Sequence, residues 1–291
     1  MKAESTQPAT AYQFKMKNAI NALFVLLLGA LCQAPLHAHE FWIAPVTTPL
    51  TAGSTARLSL RVGEQFTGDL VGWSKAQTAG LRLVSTAGVQ DISAQVPTTP
   101  VADLPIALPV PGNYLVAFEN QPHTISLSAD SFTAYLHDEG LDFIKTQREA
   151  AGQAKQPGRE RYRRYVKTLL EVQGAQAGVN ATVHLKTLGQ RLELVPVNNP
   201  LAMMPGEALS VQVLFEGQPL QGALLKAWHK SLGQTTIIRA STNAQGITTV
   251  NLPYPGAWMV SLVHMVRVTG VKGVDWDSMW GSLSFVVPDK K

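Results

Sequence analysis

An all-β fold with a small helical insert is what this sequence predicts, and three observations carry that expectation. Short apolar runs recur between turn residues. Several of them alternate apolar with polar positions, the period of a half-buried strand. No long helix alternates with these runs and there is no glycine-rich phosphate loop, so a nucleotide-binding α/β fold is disfavoured.

Taken in order, Ala56–Val62, Gly80–Val84 and Tyr114–Phe118 read as strands, with Leu58, Leu60 and Val62 on one face. Ala52-Gly53-Ser54 and Pro111-Gly112-Asn113 supply turn chemistry before two of them. Gly140 to Gln173 reads differently. Leu141, Ile144 and Arg148 fall at helical spacing, Pro157-Gly158 interrupts, and Arg159–Glu171 resumes with Tyr162, Tyr165, Val166 and Leu169 on one stripe. This predicts two short helices. Arg159, Arg161, Arg163, Arg164 and Lys167 then form a solvated helix face, with a phosphate or membrane role as the alternative.

Strand pattern returns over Ala181–Thr187, Leu192–Pro196, Leu209–Phe215, Ala223–Lys230, Thr235–Ser241, Thr248–Leu252, Ala257–Val268 and Leu283–Val287. Gly217-Gln218-Pro219-Leu220 and Asn243-Ala244-Gln245-Gly246 stand between them as turns. Short strands at this density predict immunoglobulin-like or transthyretin-like antiparallel β-sandwich domains. The expected organisation is a signal peptide over 1–38, an N-terminal sandwich over 39–138, a helical linker over 139–175 and a C-terminal sandwich over 176–291.

The opening segment supports that division. Lys15 and Lys17 precede the apolar run around Leu23–Leu28, and Leu36-His37-Ala38 follows, which is the order of a secretory signal peptide. Met16 offers a second possible start. The run falls short of the ~20 apolar residues of a spanning helix, so no membrane span is expected after cleavage. The expected location is the periplasm. Cleavage removes Cys32, the single cysteine, and with it disulfides, zinc fingers and iron–sulfur clusters. At 291 residues, 45% hydrophobic and 15% charged, the chain can bury a core, which excludes disorder as its main state. A formal charge of +4 is too weak for a nucleic-acid binder.

Catalytic motifs are absent. There is no Gly-x-Ser-x-Gly, no His-Glu-x-x-His, and carboxylates are scattered, so the chain is read as a non-enzyme. Chemistry is left to the histidines. Cleavage before His39 would give that residue a free α-amine beside its imidazole, a nitrogen pair that chelates in one ring and suits copper(II) or nickel(II). Glu40 follows directly. Trp258, Val260, Leu262 and His264 share a strand face, and Met265 and the acidic Asp275-Trp276-Asp277 loop come close behind, so His264 and Asp277 join the candidate ligands. His229, after Trp228, is a further candidate. His123 reads as a surface residue, His184 as solvent-facing, and His137 as part of a His-Asp-Glu cluster that a helix N-terminus explains equally well.

The stretch His37-Ala38-His39-Glu40-Phe41-Trp42-Ile43-Ala44-Pro45 resembles the start of a bacterial periplasmic family of unassigned function associated with nickel or cobalt uptake. Further pieces are similar along the chain: Phe132-x-x-Tyr135-Leu136-x-x-Glu139-Gly140-Leu141, Glu160-x-Tyr162-x-Arg164-x-x-Lys167, and Leu192-Glu193-Leu194-Val195-Pro196. The ending Asp275-Trp276-x-Ser278-x-Trp280-x-Ser282-Leu283-x-Phe285 and the opening are the more specific motifs. The resemblance implies a non-catalytic periplasmic protein that binds a divalent transition metal and serves a membrane metal transporter, with His39, Glu40 and His264-Met265 as the residues carried over. His137 departs from that family, which more often has an acidic residue there. By analogy of chemistry alone, an N-terminal histidine on an immunoglobulin-like sandwich is similar to copper carriers and to lytic polysaccharide monooxygenases. Two alternatives therefore stand beside the metal-binding expectation: a copper-dependent oxidative enzyme, and a metal-free structural or ligand-binding module.

Overall fold

The computed structural model describes residues 39–174 and 182–289. The expected signal peptide over 1–38, Cys32 included, and Ala181 of an expected strand lie outside the described residues.

The first half of the chain runs β1 (Glu40–Pro45), β2 (Leu50–Thr51), β3 (Thr55–Glu64), β4 (Thr67–Val71), β5 (Thr78–Ser85) and β6 (Gly88–Asp91). It continues with β7 (Asp103–Ala107), β8 (Gly112–Asn120), β9 (His123–Leu127) and helices α1 (Ala129–Asp138) and α2 (Asp142–Ala150). The second half runs β10 (Gly158–Gln173), β11 (Leu192–Pro196), β12 (Ala208–Phe215), β13 (Gln218–Pro219) and β14 (Leu224–Ser231). The last strands are β15 (Gln234–Ser241), β16 (Ile247–Asn251), β17 (Gly256–Arg267) and β18 (Trp276–Val287). The protein is all-β with two α-helices among the described residues.

A ten-stranded sheet, in the order β15-β14-β17-β18-β10-β8-β5-β6 with β2 and β9 also on β10, takes strands from both halves of the chain. Along β10 one edge pairs in parallel with β18 over Glu160–Thr168, and the other pairs with β9 and then β8. A four-stranded sheet (β1-β3-β4, with β7 on β3) packs on one face, and a second four-stranded sheet (β11-β12-β13, with β16 on β12) packs on the other. Strand alternation sorts the core accordingly. Val166, Leu170 and Val172 of β10 join Phe41, Ile43, Leu58 and Phe118 in one cluster, while Tyr165 and Leu169 join Leu192, Leu194, Val211 and Trp258 in another. A fully buried Leu or Phe in these clusters contributes about 1.5–3 kcal/mol. Gly281 of β18 leaves the space that Leu194 and Leu192 fill; a Cβ there would stand 2.5 Å from Leu194.

Three local expectations are corrected. Arg159–Glu171 is the middle of strand β10, not a helix. Its stripe of Tyr162, Tyr165, Val166 and Leu169 mimics helical spacing because both faces of the strand are covered from Tyr165 to Leu170, which erases the two-residue polarity signal there. Tyr, Val and Thr also favour the extended state, and sheet pairing decides. Lys167 is therefore buried rather than solvated, with its ammonium on Glu193 at 2.6 Å. Val183–Leu185 is a 3₁₀ turn rather than a strand, and His184 within it is buried rather than solvent-facing. Asp275-Trp276-Asp277 leads into β18 rather than forming a loop.

Helices α1 and α2 cover the end of the ten-stranded sheet beside β1. Ser128 caps α1 by accepting the Ser131 amide at 3.2 Å. Gly140, at φ +69°, ends it in the left-handed conformation, with the Leu141 amide donating to the Leu136 carbonyl at 2.7 Å. Phe132, Tyr135, Leu136 and Ile144 pack on Val263, Met265, Trp276 and Trp280. Beneath them Glu160 Oε2, Tyr135 Oη, Ser278 Oγ and Trp276 Nε1 are buried without hydrogen-bond partners among the described residues. Burial pushes the Glu160 carboxyl up to about 7. The nearby hydroxyls of Ser278 and Tyr135 oppose this without reaching hydrogen-bonding geometry.

Candidate functional site

Strand β1 lies across β18. Ser282 Oγ donates to the Phe41 carbonyl at 2.5 Å and Ser284 Oγ to the Ile43 carbonyl at 2.6 Å. On its other edge β1 pairs with β3, Glu40 opposite Gly63, so the next step of the register brings His39 to Glu64. His39 Nδ1 stands 3.3 Å from Glu64 Oε1, both side chains half exposed. Glu64 is held by the tight turn into β4, where Gln65 and Phe66 both take positive φ, 53° and 57°. Such a turn suits hairpin twist, yet non-glycine residues adopt it at a cost of about 1 kcal/mol or more each. Two contacts hold it there. The Phe66 ring packs on Trp42 with centroids 5.2 Å apart, and Thr235 Oγ1 donates to the Gln65 carbonyl at 3.0 Å.

Glu40 turns the other way, into the protein. The cap at Gly140 sets Glu139 against Lys226 of β14, with Lys226 Nζ donating to Glu139 Oε1 at 2.7 Å. Glu40 is the third charge of this buried group. Its own burial, and then the neighbouring Glu139, push its carboxyl up to about 7 against the pull of Lys226. Burial likewise raises Glu139, opposed by Lys226. Glu40 thus belongs to a buried triad, and Glu64 is the carboxylate that accompanies His39.

The remaining candidates lie elsewhere. Successive residues of a strand face opposite ways. Ser282 and Ser284 point to β1, so Asp277 and Met279 point to the other face, and His264, paired with Met279, goes with them. His264 shares its face with Trp258, Val260 and Leu262, as the strand pattern predicts. It packs on Phe215, ring centroids 4.6 Å apart, and its pKa is lowered to about 4, by burial and then by Arg191, so it is neutral. His229 is buried in a stack between Tyr254 and Trp258, its Nδ1 3.0 Å from the Ala257 carbonyl. Asp277 is held by Arg161 at 2.7 and 2.8 Å and by Arg191 at 3.3 Å, and Asp275 by Arg159. Met265 is buried under the helices. His137, in the last turn of α1, meets Asp142 at 3.2 Å on the surface. The structure brings His39 to Glu64 and does not bring His264, His229 or Asp277 to either. Among the described residues no three His, Cys, Asp or Glu side chains gather as a metal site.

A cavity of about 470 Å³ opens between β1 and the ends of β10 and β18. Trp42, Phe66, Leu50, Trp258 and Phe285 line it, with Thr168 and Asp289 among its polar members. A second cleft, about 250 Å³, is polar and lies on the far face, between Arg161, Arg163, Arg191 and Asp277. Sequence reasoning missed Glu64 and this cleft. An alternation count across β10 could have separated Arg161 and Arg163 from Glu160 and Arg164, but Arg191 and Asp277 meet them only in three dimensions.

The fold and its sites define an all-β protein of packed sheets that carries a surface histidine–carboxylate pair, an apolar cavity and a basic cleft. The chain belongs to the family described as domain of unknown function DUF4198, whose model matches residues 36–266. No curated protein matches the chain by sequence. Among solved structures it is similar to a tetra-tandem repeat from the extending region of a large adhesion protein, at 12% identity and TM-score 0.20, covering 84% of this chain and 49% of that one. It is also similar to trypsin-activated α-2-macroglobulin from Escherichia coli, at 11% identity and TM-score 0.22, covering 89% and 16%. A two-domain fibronectin type III segment of chicken tenascin matches at 10% identity and TM-score 0.19, covering 82% and 98%. The chain thus spans about half of the first structure and far less of the second. None of these likenesses bears on function. No helix among the described residues is long and apolar enough to cross a membrane.

Proposed function

We propose that this protein is a periplasmic, non-catalytic carrier of a divalent transition metal, nickel, cobalt or copper, that serves a membrane metal transporter. The observation that carries the reading is the approach of His39 Nδ1 to Glu64 Oε1 at 3.3 Å at a half-exposed strand edge. Signal cleavage before His39 adds an α-amine, so the donors are amine, imidazole and carboxylate. Nitrogen donors of this kind favour copper over nickel and nickel over cobalt. The site is open, which suits cargo that must be handed on. Glu40, buried with Glu139 and Lys226, supports the site by anchoring β1 rather than by ligation.

Native mass spectrometry of the protein recovered from the periplasm, with nickel, cobalt and copper offered together, tests this. The expected result is a chain beginning at His39 that holds one metal. One added N-terminal residue, or His39→Ala, abolishes binding, and Glu64→Gln weakens it about tenfold or more. A chain that begins elsewhere, or begins at His39 and stays empty, overturns the reading. A second reading, a metal-free ligand-binding module, is favoured by the cavity of about 470 Å³ walled by Trp42, Phe66 and Trp258. It takes over if the metal test fails.

A further inference from the structure

The parallel register of β10 and β18 sets Arg161 beside Asp277 and Arg163 beside Met279 on the face away from the helices. Arg191, just before β11, closes the cleft of about 250 Å³ from the side. Asp277 is nearly buried and braces two of the three guanidiniums, Arg161 through Nε and Nη2 and Arg191 through Nη1. Arg191 is fixed further by Glu216 at 2.9 Å and by the Phe215 ring. Arg163 has no carboxylate partner among the described residues; its neighbour is the Tyr165 hydroxyl.

The charge balance leaves a surplus. Arg82, Arg161, Arg163 and Arg191 face Glu119, Asp277 and Glu216, and Arg82 is paired with Glu119. His264 beside Arg191 adds no charge at neutral pH. One positive charge is uncompensated, and it is that of Arg163. Donors are in larger surplus. A guanidinium offers five N–H groups. Among the described residues Arg161 gives two to Asp277, Arg191 Nη2 has no acceptor, and Arg163 gives none to a carboxylate. Planar guanidiniums held in place by a buried carboxylate form a rigid fork that matches carboxylate or phosphate oxygens. The clasp of Asp277 by Arg161 and Arg191 is that recognition already made once, with the protein's own carboxylate.

We infer that this cleft is a binding site for a small multivalent oxoanion, a polycarboxylate or a phosphate, taken between Arg163 and the free edges of Arg161 and Arg191, with Asp277 as the positioning residue that holds the fork open. Its ligand sits on the opposite face of the ten-stranded sheet from His39, so the inference does not rest on the metal reading.

Isothermal titration calorimetry on the metal-free mature protein in low-salt buffer at pH 7 tests it with three probes: citrate, inorganic phosphate and acetate. Citrate or phosphate is expected to bind and acetate not. Whichever of the two binds more tightly identifies the carboxylate or the phosphate source. Arg163→Met keeps the stem, removes no ion pair, and is expected to weaken binding tenfold or more with an unchanged thermal midpoint. Arg163→Lys, which keeps the charge but loses the fork, falls between. His39→Ala leaves the titration unchanged. The inference is overturned if neither multivalent probe binds at 10 mM, or if Arg163→Met binds as well as the parent.

Discussion

On the helix-covered face of β10, Glu160 and Arg164 stand among Tyr135, Trp276 and Phe41, with no ion pair made by either among the described residues. On the opposite face, one residue along, Arg161 and Asp277 meet in two hydrogen bonds of 2.7 and 2.8 Å, and Arg163 stays unpaired. Strand alternation delivers charge to both faces alike; what covers each face decides how the charge is handled. Under the helices burial favours the neutral form, and it drives the Glu160 carboxyl up to about 7 and lowers the Arg164 guanidinium. In the open cleft burial would also raise Asp277, but the hydrogen bonds from Arg161 and Arg191 outweigh it and hold the carboxyl below its ordinary value. At Glu160 under the helices the charge is answered by titration, and at Asp277 in the cleft by pairing with arginines that keep donors to spare for a ligand.

The comparison breaks hardest at Lys226 on the covered face. Lys226→Met strips the cation from Glu139 and Glu40 and leaves two buried carboxylates. A loss of about 3–5 kcal/mol in urea unfolding at pH 7 is expected, most of it recovered when Glu139→Gln is added. A loss below about 1 kcal/mol would mean that water reaches the triad.

Glu160→Gln sharpens the contrast through pH. A carboxyl whose folded pKa lies near 7, above its unfolded value, binds its proton more tightly when folded. Stability from this group is therefore full at low pH and lost as pH rises from about 4.5 to about 7. At pH 8 the variant is expected to be more stable than the parent by about 3 kcal/mol, and the difference closes below about pH 4. Thermal unfolding across that range reads it, and a difference independent of pH would place the ionised carboxylate in a solvated site. The smallest effect belongs to the open face. Arg161→Gln leaves Asp277 with Arg191 and is expected to cost no more than about 1 kcal/mol in the same denaturation assay.

Much of this was legible in the residues. The strand pattern located β3, β5, β8, β11, β12, β14, β15, β16 and β17, because each has one apolar face or a continuous apolar run bounded by turns. It also placed His264 with Trp258. The capped stripe of Ser128, Phe132, Tyr135 and Leu136 signals α1 and was overlooked beside the strand-like runs before it. Strand β10 was hidden because both its faces are covered over Tyr165–Leu170, so polarity there did not separate it from a helix. The candidate site was legible only at His39. Its companion Glu64 is set by register across β1 and β3, and the arginine cleft joins positions from β10, the segment before β11, and β18. Spacing along the chain carries no trace of either.

The two serine hydroxyls that hold β1 span 241 residues each, from Phe41 and Ile43 to Ser282 and Ser284. Strand β18 is thus what seats β1. Contacts of such separation must close very long loops, which places this topology at the slow end of folding, on the order of milliseconds to seconds. Until Trp276–Val287 exists, β10 also lacks the longer of its two parallel partners among the described strands. Strand β1 therefore stays undocked until β18 is in place, and a truncation that removes β18 is expected to abolish the fold on both faces of the sheet at once.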